Sequence, residues 1–174
     1  MKRIILYLLF GIFLQSNLSA QITTKNPYVE NYSQSNIADL PIIGVSIDEE
    51  ITLVVFEYIT DRNLTGGWIS LSSKTTLTSK NTNISLKIKD WGVFNDEANS
   101  LNFDEQYSVK ADRKYTFYMI FNNLPKGIEN ISIRENTGSS EFYWNGIHID
   151  NPKNTGSSNF PIGSNQHDDE DFQI

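Results

Sequence analysis

Residues 51–60 (ITLVVFEYIT) alternate with a period of two. Leu53, Val55, Glu57 and Ile59 share one face; Thr52, Val54, Phe56 and Tyr58 share the other. That period belongs to a β-strand. Both faces are mostly apolar and rich in β-branched and aromatic residues, which predicts a strand with neighbours on both sides. The same period recurs in residues 39–48, where Ile43, Val45 and Ile47 alternate. It recurs in residues 84–91, where Ile84, Leu86 and Ile88 face in while Ser85, Lys87 and Lys89 face out. In residues 113–121 Tyr115, Phe117, Met119 and Phe121 share a face, and in residues 129–135 Ile131 and Ile133 do. Shorter strands are predicted over residues 68–72, 75–78 and 106–110, and a last one over residues 141–150. Gly146 interrupts that last strand and predicts a bulge or a close backbone approach.

Residues 61–67, 79–83, 124–127 and 136–139 are turns by composition. Residues 92–105 (GVFNDEANSLNFDE) form the longest irregular stretch between strands. No run of ten or more residues has helical period. Eight or nine short strands separated by turns are the signature of an all-β fold, a single antiparallel β-sandwich or a small barrel. The sandwich domain is assigned to residues 39–152. Residues 21–38 (QITTKNPYVENYSQSNIA) are polar and aperiodic and read as a flexible lead-in. Residues 153–174 are Gly/Ser/Asn-rich and then acidic, and read as a disordered tail.

Residues 1–20 have a different character. Lys2 and Arg3 precede an apolar run from Ile4 to Leu14, and small Ser19 and Ala20 precede Gln21. This order of charged, apolar and small residues is that of a secretory signal peptide cleaved after Ala20. The apolar run is about half the ~20 residues a spanning helix needs. No other stretch is long and apolar enough to cross a bilayer. The expected location is therefore the periplasm or the extracellular space.

Composition narrows the functional classes. The chain has 174 residues, of which 39% are hydrophobic and 12% aromatic, enough for one packed domain. It contains no cysteine, which excludes disulfide scaffolds, thiolate metal sites, thiol nucleophiles and a Cys-linked lipid anchor. Loss of Lys2 and Arg3 takes the basic count from 14 to 12 against 21 acidic residues, moving the net charge from −7 to −9. Such a chain has no electrostatic footprint for nucleic acid.

Three motifs shape the fold. The first is Val54–Tyr58 followed after a turn by Trp68-Ile69-Ser70. The second is Phe121-Asn122-Asn123-Leu124-Pro125-Lys126-Gly127. The third is Ile131–Glu135, then Phe142–Trp144 and Gly146–Ile149. Together they span residues 43–151 and resemble a loose set of short secreted β-sandwich proteins of Bacteroidetes-type bacteria. The resemblance implies an immunoglobulin-like sandwich, a fold that in similar proteins stands alone or precedes a thioredoxin-like domain. It implies no catalytic residues. Each motif also has a physical reading. Leu-Pro-x-Gly ends a strand, because Pro donates no ladder bond and Gly accepts a positive φ. Glu135, at a strand end, is placed to accept backbone N–H bonds. Trp68 and Trp144 are expected to plug the core.

Candidate chemistry is sparse. His148 and His167 are the only histidines. No nucleophile elbow, zinc-binding helix motif or phosphate loop is present, so no catalytic residue is assigned and no enzyme or cofactor is expected. Asp90, Asp96, Glu97, Asp104 and Glu105 cluster around the long irregular stretch. Hard oxygen ligands make Asp96, Asp104 and Glu105 weak calcium candidates. Trp91, Phe94, Phe103 and Tyr107 bracket the same stretch, where sugars could stack on aromatic faces while acidic and amide groups bond the hydroxyls. Trp91, Phe94, Asp96, Glu97, Phe103 and Tyr107 are thus the candidate ligand contacts. The leading expectation is an exported, non-catalytic interaction domain that contacts a protein outside the cytoplasm. The alternative is a carbohydrate-binding module using residues 90–107.

Overall fold

The structure, a computed structural model, describes residues 21–33, 38–94, 98–135 and 142–153. The expected signal peptide (1–20) and nearly all of the expected tail lie outside them. Every regular element among the described residues is a strand. The thirteen strands are β1 (Ile22–Lys25), β2 (Val29–Tyr32), β3 (Ala38–Asp39), β4 (Ile42–Ile47), β5 (Ile51–Thr60), β6 (Gly67–Ile69) and β7 (Thr76–Thr78), followed by β8 (Ser85–Phe94), β9 (Ala98–Ser100), β10 (Tyr107–Val109), β11 (Lys114–Asn122), β12 (Asn130–Arg134) and β13 (Tyr143–His148).

Eleven of them form one antiparallel sheet along the path β1-β4-β5-β11-β8-β7-β12-β13-β2, with β3 on β5 and β9 on β8. β6 and β10 form a separate two-stranded ribbon. The two ends of the path are β1 and β2, which are consecutive in the chain and separated by three residues. Four Cα steps reach at most about 14 Å, so the sheet has to curl until its edges approach each other. The result is a strongly curled, half-barrel sheet. Asn26 makes the crossing in a left-handed conformation (φ 45°), and its N–H donates to the Ile43 carbonyl at 3.0 Å. Asparagine tolerates this region better than most side chains.

β8 makes the other bend. Residues 85–87 pair with β7, and residues 88–94 pair with β11. Between the two, Ile120 faces Asp90 while Phe121 faces Ile88, so Lys89 is an extra residue in β8. Such a bulge bends a strand and increases its twist. The core lies inside the curl, fed by inward residues of both halves. Trp91, Phe117, Phe56, Trp144 and Phe142 form a continuous run of ring contacts, with centroids 5.2–6.3 Å apart. The Trp144 indole N–H donates to the Leu40 carbonyl at 2.7 Å, so its one polar group is satisfied in the interior.

β5 has the predicted bounds and lies between β4 and β11. Other expectations need correction. Residues 21–38, read as a flexible lead-in, carry β1, β2 and the start of β3 in register on β4, β13 and β5. In β4 the register shifts between Ile42 and Gly44, so Ile42 takes the buried position expected of Ile43. The stretch 92–105 is less irregular than expected, since β8 runs on to Phe94 and pairs with β9. Trp68, expected in the core, is 55% exposed, because Ile69 occupies the inward position of the short strand. The Leu-Pro-x-Gly turn behaves as read. Gly127 has φ 87°, its N–H donates to the Asn151 carbonyl, and Thr52 Oγ1 accepts the Leu124 N–H.

Candidate functional site

The stretch that brackets the aromatic candidates serves as a lid on the core. Trp91 is fully buried, stacks on Phe117 at 6.0 Å and donates its indole N–H to the Asn102 carbonyl at 3.2 Å. Phe103 and Tyr107 pack against the same core, and Phe94 lies against Tyr118 with ring centroids 5.0 Å apart. Trp91, Phe103 and Tyr107 therefore come together with their faces turned to the core, whereas Phe94 lies with Tyr118 on the other side of the sheet. Trp91 has no face left for a ligand.

The acidic side chains of this region brace backbone and neighbours. Asp90 accepts from the hydroxyl of Ser100. Glu105 accepts from Asn102 Nδ2 at 2.8 Å. Asp104 sits in a left-handed conformation (φ 61°) and accepts from the Ser73 hydroxyl at 3.0 Å. That hydrogen bond, with help from Ser72 and Lys74, holds its carboxyl below the usual carboxylate range. Asp96 and Glu97 lie outside the described residues. Among the described residues no three acidic or histidine side chains converge as a metal site would require.

A different surface gathers polar groups. It is the outer face of the sheet over β7, β12, β13 and β2. Inward positions here are apolar: Leu77, Ile131, Ile133, Trp144 and Ile147 are all buried. Alternation therefore puts Thr76, Thr78, Asn130, Ser132, Arg134 and Asn145 on the other side. The face holds a shallow depression of about 540 Å³. Lys80 and Glu30 complete its lining. Opposite Ser132, β13 carries two residues, Asn145 and Gly146, because the register shifts between Ile131 and Ile133. The bulge predicted from Gly146 is thus present. Gly146 has φ 61°, and a Cβ there would overlap the Glu30 carboxylate, so the absent side chain lets Glu30 cross the sheet.

Hydrogen bonds fix the floor of this face. Ser132 Oγ accepts the Gly146 N–H at 3.1 Å, and Asn145 Nδ2 donates to Asn31 Oδ1 at 2.9 Å. Aromatic rings stand at both ends. At one end the Arg134 guanidinium lies 5.8 Å from the Tyr143 ring centroid. At the other, Tyr28, 68% exposed, packs on His148 with ring centroids 5.3 Å apart, and His148 Nε2 lies 3.5 Å from Glu30 Oε1. The sequence signal for this face was the polar alternation of residues 129–135 with Gly146 opposite it. The same one-sided polar alternation marks any strand with a solvent face, so the pattern alone does not single out a site.

A second, small cavity of about 80 Å³ lies between Ile22, Asp48 and Asn123. It is well below the size of an ordinary ligand pocket. No helix among the described residues is long and apolar enough to cross a membrane. No known protein family, curated protein or solved structure matches this chain.

Proposed function

We propose that the protein is an exported, non-catalytic binding domain, an immunoglobulin-like sandwich that engages its partner through the outer face of β7, β12, β13 and β2. The observation that carries this reading is the polar depression on that face. Its hydroxyl, amide and charged side chains line a broad open surface, and the strands beneath fix their spacing. Binding sites held on regular strands keep their geometry better than sites on loops. The signal-like residues 1–20 support export, and the resemblance to secreted sandwich proteins supports the finer fold. The bracing roles of Asp90, Asp104 and Glu105 speak for a structural use of those carboxylates. Because Trp91 is buried, the ligand surface is assigned away from residues 90–107.

The test is retention from envelope extract on immobilised chain starting at Gln21. A second bait carries Arg134→Glu and Lys80→Glu, and a third ends at Lys153. The reading expects material held by the first and third baits and released by the second. Retention that ignores the two reversals would remove this face from consideration. Retention lost only with residues 154–174 would move the site to the C-terminal segment.

A further inference from the structure

The lining of the depression carries more information than its existence. Among the described residues that line it, no apolar side chain contributes. The fully buried centre of a protein–protein interface is usually more apolar than this. Here the centre holds Thr78, Asn130, Ser132 and Asn145, whose side chains are held by bonds to the Ser132 carbonyl, His148, the Gly146 N–H and Asn31 and keep further donor and acceptor positions for a ligand's hydroxyls. Rings of Tyr28 and Tyr143 flank it. The patch measures about 13 Å along β12, from Asn130 to Arg134, and about 14 Å across four strands. That is a broad platform, about as wide as it is long, rather than a pit.

Charge refines the ligand. The chain is acidic, with net charge −7. The depression runs against that sign, because it is lined by Lys80 and Arg134 and by one carboxylate, Glu30. Glu30 is turned toward His148. No carboxylate among the described residues pairs with Lys80 or Arg134. Lys87 pairs with Thr76 in the register and extends the positive edge beyond Arg134. Arg134 lies over Tyr143, and an arginine stacked on a ring keeps its N–H edge for a carboxylate or sulfate. A patch of this kind locally opposes the repulsion that the chain's net negative charge imposes on a polyanion.

We infer that this face binds an acidic oligosaccharide, a sugar chain carrying carboxylate or sulfate groups. Its anionic groups bond Arg134 and Lys80, its hydroxyls meet the Thr, Ser and Asn side chains, and its ring faces stack on Tyr28. The inference rests on the binding-face reading above and names the ligand class for it.

The experiment is affinity electrophoresis and calorimetry of the chain from Gln21 with polygalacturonate, alginate and a sulfated galactan, with neutral dextran as control. At low salt at least one acidic polymer should retard the protein, and dextran should not. Arg134→Ala and Lys80→Ala should each weaken binding about tenfold or more, the loss expected for one charge-assisted hydrogen bond. Tyr28→Ala should weaken it too. Trp68→Ala, on the separate ribbon, should leave it unchanged. All four side chains are exposed, so unchanged melting temperatures will separate loss of contact from loss of fold. Rising salt should weaken binding, as expected for exposed charges. No retardation by any acidic polymer overturns the inference, as does retardation that the Arg134 and Lys80 variants leave intact. If a protein is retained from extract through this face while no glycan binds, the binding-domain reading stands and the glycan assignment falls.

Discussion

Glu135 illustrates what a single residue reveals from sequence. Its position at the end of an Ile-x-Ile strand predicted a carboxylate accepting backbone N–H groups. It is 5% exposed and accepts the Ser72 and Phe142 N–H groups at 2.8 and 3.0 Å. The prediction was possible because a buried carboxylate has few ways to be satisfied. Trp68 and Trp91 show the opposite case. Their identities say only that a large ring needs a place, and one-residue alternation decides which face of the strand receives it. Tyr118 adds a measurable consequence. Its ring lies across the outer face, where a Cβ on Gly92 would overlap it, and Ser100 shares a hydrogen bond with its hydroxyl. Burial pushes its phenol above the ordinary value of 10.0, outweighing the Ser100 bond. Burial also raises Tyr58. The folded state therefore favours the protonated phenol. This contribution is fully present below about pH 10 and is lost as pH rises through the folded-state values. Melting temperature should fall in the alkaline range, and Tyr118→Phe should make that fall shallower. An alkaline limb unchanged by the substitution would assign it to other groups.

Among the elements, β5 was legible throughout because ten residues of unbroken alternation carry a strong periodic signal. β1 and β2 were not, because they are four residues each, polar on one side and paired on an edge. Their order comes from β4 and β13, and a local pattern cannot announce a partner so distant in the chain. Bulges lie between these cases. Gly146 marked the one in β13, whereas nothing in the sequence marked Lys89 or Ile43 as extra residues. The β13 bulge yields a test at this scale. Gly146→Ala places a side chain in a left-handed conformation, which costs about 1–2 kcal/mol, and drives its Cβ into Glu30. Urea unfolding should show a loss of that size plus a further increment from the displaced carboxylate. Adding Glu30→Ala should recover the increment and leave the backbone part. Full recovery in the double variant would mean that the backbone conformation carries no strain. A loss that Glu30→Ala leaves untouched would mean that the two residues do not meet.

The whole molecule depends on a segment that carries little apolar pattern. The curled sheet has two free ends, and both are occupied by the stretch from Ile22 to Tyr32. Without it, β4 and β13 would each present a row of unpaired N–H and C=O groups, the arrangement that invites edge-to-edge association. Val29 and Tyr32 also pack on the core from this segment, and Pro27 is buried. The candidate face depends on it as well, because Tyr28, Glu30 and Asn31 belong to the same stretch. A chain starting at Ala38 should therefore lose about 3 kcal/mol or more, the scale of one or two buried apolar side chains. It should also associate at concentrations where the chain from Gln21 stays monodisperse in light scattering. If both chains melted at the same temperature and stayed equally dispersed, β1 and β2 would be appendages of an already closed core. If the short chain melts lower, the strand pair that looked like a leader in the sequence is the clasp that joins the two ends of the sheet. Fold closure and the proposed binding face then share one segment, and a ligand bound at Tyr28 would stabilise the closure it rests on.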